Sequence, residues 1–457
     1  MASRADQLAS NLNFSKFGQA TELKKRIWFT LGALIIFRFL SFVPLPGVDP
    51  VALSRLYDSA ASGGVLDIFN TFSGGSLERM SIIALGVMPY ITASIVVQLA
   101  SALSPSLAAL KKEGESGRKK LNQYTRLGTV ALTAVQGYFL AVGLETLGAS
   151  QNIAAVVDPG MFFRIGAVIS IVGGTLFLMW LGEQITSRGI GNGMSLIIMA
   201  GILAQLPRSF SQMFAQVREG SMGGGTVFIV LLGAIGLIAL IAFIERAQRR
   251  VLVQYPKRAT QRGVMQAERS HLPLKVNTAG VIPPIFASSL LLMPVTVTQM
   301  LGSDVTADSA SSSFLITLNQ YLAHGQPLYM GLYAFGIIFF CFFYVAVVFN
   351  PEETADNLKR QNGFIPGIRP GKNTATYLDF VLTRITVIGA AYLAAICLIP
   401  EYFIAKSGLP FALGGTSLLI VVNVTIDTVT QIQSHMLAHQ YGDLIKKAKL
   451  KGGGPRR

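Results

Sequence analysis

The sequence VLDIFNTFSGG, residues Val65–Gly75, is an amphipathic stretch that lies between two long apolar segments. Glycine pairs bracket it, Gly63-Gly64 before it and Gly74-Gly75 at its end. A helix of about ten residues is about 15 Å long, half the thickness of the hydrocarbon core of a bilayer. The stretch is therefore too short to cross a membrane and too apolar for an ordinary loop, which predicts a half helix within a membrane protein.

The composition indicates a membrane protein. Of the 457 residues, 51% are hydrophobic and only 13% are charged, and the mean hydropathy is +0.52. A soluble protein of this size carries about 25% charged residues. Residues 1–22 are polar and lack the apolar core of a cleaved signal peptide, so we expect the first apolar span to insert and remain in the membrane.

Ten apolar spans of at least about 18 residues follow one another along the chain. Helices satisfy their own backbone hydrogen bonds in lipid, and these runs lack the alternation of membrane β-strands, so ten transmembrane helices are expected. An even number of spans is compatible with two inverted halves of five, although no clear sequence repeat is present. The predicted spans are 26–45, 80–102, 127–147, 161–184, 194–213, 226–245, 277–300, 328–349, 378–400 and 412–437.

The positive charges are distributed unequally over the connections between the spans. The connections on the side of the two termini contain thirty Lys and Arg residues, whereas those on the opposite side contain five. Because positively charged loops stay in the cytoplasm, both termini are predicted to be cytoplasmic. Most of the net charge of +15 is therefore a topology signal.

Two basic connections contain sequence patterns that the topology alone does not require. Residues 246–276 alternate apolar and polar side chains around Tyr255–Arg258, which predicts a two-stranded hairpin. Residues 350–377 contain GFIPGIRPGKN, in which Arg369 precedes a proline and is rigidly presented. These segments are either solvated connections near anionic lipid or a docking surface for a large cytosolic partner.

Ionisable residues within the spans are few, which disfavours an ion-coupled pump. The candidates are Arg38, Glu183, Arg384 and Asp427. An Arg384–Asp427 ion pair is conceivable, and structural pairing or snorkelling explains these residues equally well.

No catalytic or metal-binding pattern occurs in the sequence. HExxH, GxSxG and paired mid-membrane aspartates are lacking. Cys341 and Cys397 are far apart and are predicted to be buried, reduced thiols. We therefore expect neither an enzyme nor a bound metal or other cofactor. Breaks in the spans at Pro89, Pro283-Pro284 and Gly191–Gly193 suit a channel or an inverted-repeat secondary transporter.

Five motifs occur in a fixed order: FNTFSGGSLERMSIIALGVMPYITASIVVQL, RGIGNGMSLIIMAGI, HLPLKVNTAGVIPPIFASSLLLMP, NPEETADNLKRQNGFIPGIRPG and GGTSLLIVVNVTIDTVTQIQSHMLAHQYGDLIKKAKLKG. This series resembles the SecY family, the channel subunit of the bacterial Sec protein translocon, from about Lys24 to Gly452. The resemblance implies an all-α polytopic membrane protein with ten transmembrane helices, arranged as two pseudo-symmetric inverted halves of five around an hourglass pore with a plug half-helix.

The resemblance also implies a location and partners. It places the chain in the bacterial plasma membrane, in a heterotrimer with SecE and SecG. The SecA motor ATPase or the translating ribosome would drive a nascent or secretory polypeptide with a signal sequence through it, and apolar segments would leave sideways into membrane lipid. SecDF and YidC are further partners that it suggests, and it implies no DNA partner. ATP is used by SecA, in keeping with the lack of a Walker motif here.

The family pattern divides the chain into parts. They are a cytoplasmic N-terminal tail (1–25), an N-terminal half (26–213) with the plug at 64–75, a periplasmic connection (214–225), a C-terminal half (226–437) with the docking loops 246–276 and 350–377, and a basic C-terminal tail (438–457).

The resemblance assigns roles to individual positions. The mid-membrane ring of aliphatic side chains falls on Val87, Ile91, Met194, Ile198, Ile285 and Ile420. The apolar face of the plug is assigned to Val65, Leu66, Ile68, Phe69 and Phe72, with hinges at Gly63, Gly64, Gly74 and Gly75. Weak polar contacts across the lateral exit are expected from Thr92, Ser94, Gln98, Asn277, Ser288 and Ser289. Docking of SecA or the ribosome is assigned to Lys257, Arg258, Arg369 and Tyr441.

Overall fold

A computed structural model describes residues 21–49, 52–53, 70–150, 156–220, 223–255, 259–260, 263–264, 269–301, 326–407 and 414–451. Within these residues the chain forms twelve helices and two small antiparallel sheets. The helices of the first half are α1 (Thr21–Leu40), α2 (Met88–Leu103), α3 (Pro105–Lys112), α4 (Glu115–Ser150), α5 (Met161–Arg188) and α6 (Gly193–Arg218). Those of the second half are α7 (Gly224–Arg246), α8 (Ile282–Leu301), α9 (Pro327–Val348), α10 (Pro351–Arg360), α11 (Lys372–Ser407) and α12 (Gly415–Lys451).

Ten of these helices, all except α3 and α10, coincide with the ten predicted spans. In the described part of the chain, seven helices are long and apolar enough to cross a membrane, and α2 and the first ten residues of α8 are shorter apolar helices. Large apolar side chains such as Phe162, Phe228 and Phe243 point outwards, as expected for a surface that faces lipid. The prediction of an all-α polytopic membrane protein is confirmed.

One predicted span boundary is wrong, and the prolines expected to break spans lie at helix starts. The second span was predicted from residue 80, but α2 begins at Met88 and residues 80–87 form turns. Pro89 lies in the first turn of α2. Proline is favoured there because the backbone N–H that it lacks would have no partner within the helix. Pro283-Pro284 begins α8 in the same way. The predicted C-terminal tail is also helical up to Lys451, since α12 continues past residue 437.

The predicted hairpin in residues 246–276 is present. Strand β1 (Gln248–Gln254) pairs antiparallel with β4 (Arg269–Lys275), with Val251 opposite Leu272, and β2 (Ala259–Thr260) pairs with β3 (Gly263–Val264) farther out. The turn therefore lies farther along the chain than Tyr255–Arg258.

The two basic connections form one unit. Gln254 and Phe364 exchange two backbone hydrogen bonds of 2.8 and 3.0 Å. Val251 and Leu274 of the hairpin share a buried cluster with Ile365 and with Leu378 of α11. The described parts of residues 246–276 and 350–377 thus form a single platform.

Arg384 and Asp427, two charged residues within the spans, have other partners than each other. The conceivable Arg384–Asp427 pair is not formed: Asp427 lies 3.9 Å from the Nζ atom of Lys275, and Arg384 stacks over Phe380 at 4.0 Å. An arginine that lies on an aromatic ring of its own helix needs no carboxylate. Cys341 and Cys397 are both buried and free, as predicted.

Candidate functional site

The six predicted ring positions come together where four helices meet. Four helices supply them: α2 together with its N-cap residue Val87, and α6, α8 and α12. All six belong to one apolar cluster. Four are buried, with Ile420 only 1% exposed, and two are partly buried; in chain order the positions are Val87, Ile91, Met194, Ile198, Ile285 and Ile420.

Met194 joins this cluster although it is the second residue of α6. The side chain of Asn192 accepts a hydrogen bond from the Met194 backbone N–H at 3.2 Å and so fixes where the helix begins. Gly182 of α5 leaves the necessary space, because a Cβ atom there would lie 2.2 Å from the Met194 sulfur. A helix start is thereby packed into the interior.

The described end of the predicted plug packs against the same cluster. Residues 70–73 are helical and buried, and Phe72 shares the cluster with Val87, Ile198 and Ile420. The other plug positions, Val65, Leu66, Ile68 and Phe69, and the first glycine pair, Gly63-Gly64, lie outside the described residues. An aromatic side chain of the predicted plug thus shares a cluster with aliphatic side chains from several helices.

The second glycine pair has two structural functions. Gly74 and Gly75 have φ angles of +71° and +81°, which favour glycine. A Cβ atom on Gly74 would lie 2.9 Å from the Cα of Gly201 in α6, so the two backbones touch. The Arg38 guanidinium donates a hydrogen bond of 2.8 Å to the Gly74 carbonyl. Gly201 and the contact of Arg38 were missed by the sequence reasoning, because only the fold brings them to residue 74.

Enlarging Gly201 should force residues 72–74, at the end of the predicted plug, away from α6. A Cβ atom there would lie 3.0 Å from the Phe72 carbonyl oxygen and 3.3 Å from the Gly74 nitrogen. We expect Gly201→Leu to raise the resting ion conductance of the reconstituted protein severalfold and Gly201→Ala to raise it less, measured in planar bilayers. Gly233→Leu is the matched control, since nothing lies within 4 Å of a Cβ at that glycine in a span. If Gly201→Leu has the same conductance as the parent, the contact between Gly201 and residues 72–74 does not help to close the protein to ions.

Most of the polar side chains predicted at the lateral exit have local partners in the described part of the chain. Among the described hydrogen bonds, Thr92 bonds to Met88, Gln98 to Ser94, and Ser288 to Ile285, each within its own helix. The Ser289 hydroxyl is buried without a partner in the described contacts. Ser and Thr in helices readily donate a hydrogen bond to the carbonyl three or four residues earlier, as Ser288 and Thr92 do here.

Asn277 is held from another direction. Its amide donates a hydrogen bond of 2.6 Å to the Glu245 carboxylate of α7 and accepts one of 3.0 Å from the Gly280 N–H. The facing surfaces of α2, α8 and α9 are apolar instead: Ile95, Phe286 and Ile337 share one buried cluster. Apolar contact without directional bonds therefore joins the two sides of the predicted exit.

The docking positions are described only in part. Arg369 is exposed on the platform formed by the two loops, and its carbonyl accepts a hydrogen bond of 3.0 Å from the Thr374 hydroxyl. Lys257 and Arg258 lie outside the described residues. Tyr441 lies in α12, and its side chain is not described. The exposed guanidinium is therefore available to a partner on a rigid base.

Comparison with known proteins identifies a family. The SecY family model matches residues 81–429, more than half of the chain. A relative from Vibrio cholerae, described as protein translocase subunit SecY, is 51% identical over 434 residues, which cover 95% of this chain and 96% of the relative.

Solved structures share the fold. One concerns the plug domain of a SecY protein, which stabilises the closed state of that translocation channel; it has a TM-score of 0.61 and 18% identity and covers 90% of this chain and 92% of the other. Another is Sec61 in a canine ribosome-channel complex, with a TM-score of 0.60, 16% identity and the same coverage of both chains. The match over residues 81–429 and the 51% identity show that the chain belongs to the SecY family.

Proposed function

We propose that this chain is the central subunit of a protein-conducting channel that passes unfolded polypeptides across the membrane and releases transmembrane segments sideways into lipid. The single observation that carries this proposal is the central cluster, in which six aliphatic or thioether side chains from four helices converge. A narrow apolar constriction is hard to wet and resists ions. Its side chains form no directional bonds, so it accepts any passing sequence.

The plug segment completes the seal in this proposal. Residues 64–75 are too short to span the bilayer, so they can fill one funnel of the pore and leave it. Phe72 would lie under the ring, and the glycine pairs at 63–64 and 74–75 would permit the movement. A fixed re-entrant cap is the alternative, and deletion of residues 65–73 distinguishes it from a plug, because only loss of a plug raises the resting conductance.

Lateral release follows from the apolar exit. The facing surfaces of α2, α8 and α9 are held by packing, and the polar residues near them are already bonded within their own helices or to Glu245. Opening therefore breaks few hydrogen bonds, each worth about 1 kcal/mol or less in a membrane. An arriving apolar signal sequence can replace the lost contacts with its own.

The topology and partners are part of the proposal. The charge asymmetry supports cytoplasmic termini, and the identity to bacterial SecY subunits supports a location in the bacterial inner membrane. The likeness to a channel in a ribosome complex supports the ribosome as a partner. SecE and SecG as small subunits and SecA as motor are proposed from the family, with SecDF and YidC as further partners. The chain would hydrolyse nothing itself.

Identification of the co-purifying proteins tests the assignment against an inverted-repeat secondary transporter. We expect the untagged chain, extracted in mild detergent, to bring small single-span subunits with it in equal amounts. A chain that purifies without them and couples ion flux to a small solute would be a transporter.

Reversing the charge of Arg369 should impair motor-driven export. We expect Arg369→Glu to lower SecA-dependent transport of a precursor into vesicles at least tenfold, because the exposed guanidinium would meet carboxylates of the partner. Arg360→Glu is the matched control, since Arg360 is exposed at the end of α10 in the same connection. The amount of each variant in the membrane should equal that of the parent. Normal export by Arg369→Glu would refute the role.

A further inference from the structure

Glu78 closes the described end of the plug segment into a loop. The Asn70 amide donates a hydrogen bond of 3.2 Å to the Glu78 carboxylate, and the Glu78 backbone N–H donates one of 3.1 Å to the Asn70 side-chain oxygen. The Gly75 N–H also donates to the Asn70 carbonyl at 2.9 Å. Residues 70–78 therefore form one compact, internally bonded turn.

Arg208 ties this loop to the channel wall. Its guanidinium contacts both carboxylate oxygens of Glu78 from α6, 130 positions away in the chain. The Glu78 side chain is only 12% exposed and that of Arg208 is 40% exposed. Because the Glu78 carboxylate is largely shielded from solvent, salt screens its attraction to Arg208 less than it screens two fully exposed side chains.

Glu78 also balances a concentration of positive charge. The guanidiniums of Arg38 and Arg79 both lie over the Phe42 ring, 4.7 and 4.3 Å from its centre, and Arg79 is close enough to Glu78 and Arg208 to be affected by both charges. Three arginines thus surround the segment, and Glu78 is the acidic group that the described contacts place among them. Without its charge, attraction to Arg208 is lost and the arginines repel one another.

We propose that the Glu78–Arg208 pair, with Asn70 as its second partner, is an electrostatic latch that holds the plug against α6 and keeps the resting channel closed. The proposal rests on the proposed function, in which residues 64–75 are a plug that leaves the pore. Arg208 keeps Glu78 on α6, and displacement of the segment about Gly74-Gly75 would break the hydrogen bonds between Asn70 and Glu78, so the latch adds to the free energy of opening. It is distinct from the apolar packing of Phe72, because it acts through charge.

Neutralisation of the pair tests the latch. In planar bilayers, we expect Glu78→Gln and Arg208→Gln each to raise the resting ion conductance of the assembled complex about tenfold. The exchange Glu78→Arg with Arg208→Glu should bring it back to within about twofold of the parent. Glu145→Gln is the matched control: Glu145 is 9% exposed and pairs with Arg164 at 2.7 Å, between α4 and α5, and it should not change conductance. Equal conductance of parent and both single variants, or an equal rise in the control, would overturn the latch.

A double-variant cycle separates the latch from the plug itself. Deleting residues 65–73 removes Asn70 and Phe72, so Glu78→Gln should add nothing to the conductance of the deletion chain. An additional tenfold rise in that background would overturn the latch, because the effect would not act through the plug. A deletion that leaves the parent conductance unchanged would instead refute the plug of the proposed function. If the deletion raises conductance but Glu78→Gln and Arg208→Gln do not, the latch is refuted and the plug is retained.

Discussion

Deleting residues 65–73 should raise the resting ion conductance of the reconstituted channel at least tenfold while export of a precursor continues. The described end of this segment is buried at residues 70–73, and Phe72 belongs to the same apolar cluster as Val87, Ile198 and Ile420. Its removal takes away an apolar stopper, and water can reach the ring from that side.

Conductance in planar bilayers measures this effect, and export into vesicles serves as its control. Export shows that the deleted chain still folds and assembles, since a collapsed bundle transports nothing. The parent and deletion chains are measured in bilayers of the same lipid composition, so a difference in conductance does not come from the lipid. An unchanged resting conductance with normal export would indicate a fixed cap that does not seal the pore.

A polar side chain in the ring should open the second barrier. Ile420 is 1% exposed and Ile198 is 8% exposed, and both face the central cluster. We expect Ile420→Asn, combined with the 65–73 deletion, to raise conductance at least a further tenfold, because an amide holds water in a constriction that is otherwise dry. Ile198→Asn should act in the same direction.

Two controls accompany the ring variants. Ile420→Leu keeps the site apolar and should leave conductance within about twofold of the deletion chain. Val429→Asn places the same amide on α12 at a side chain that is 44% exposed, and it should have no effect. A leak of equal size from the Val429 and Ile420 amides would show that the ring does not control the barrier.

The spans could be predicted from the sequence because their signal is local. Continuous apolar runs gave ten helices, and alternation gave the hairpin that pairs Gln248–Gln254 with Arg269–Lys275. The start of α2 was misplaced because residues 80–87 are as apolar as a helix but are buried in turns, with Gly86 at a φ of +57°. Hydropathy reports burial in an apolar environment and does not report backbone conformation.

The site could be predicted only where a motif carried it. Residues 87, 194, 285 and 420 are far apart in the chain, and their convergence is a property of the fold. At the predicted exit, Thr92 and Gln98 have partners in their own helix that a residue list does not reveal. The Glu78–Arg208 pair was missed for the related reason that its partners lie 130 residues apart.

The most direct test of the account is transport of a polypeptide by the purified complex. Vesicles that contain this chain, its small subunits and the motor ATPase should protect an added unfolded precursor from external protease, and protection should require ATP. A stable fold in the precursor should stop the reaction. A complex that binds its partners and hydrolyses ATP yet leaves every precursor accessible to protease, while moving a small solute with an ion, would contradict the central claim.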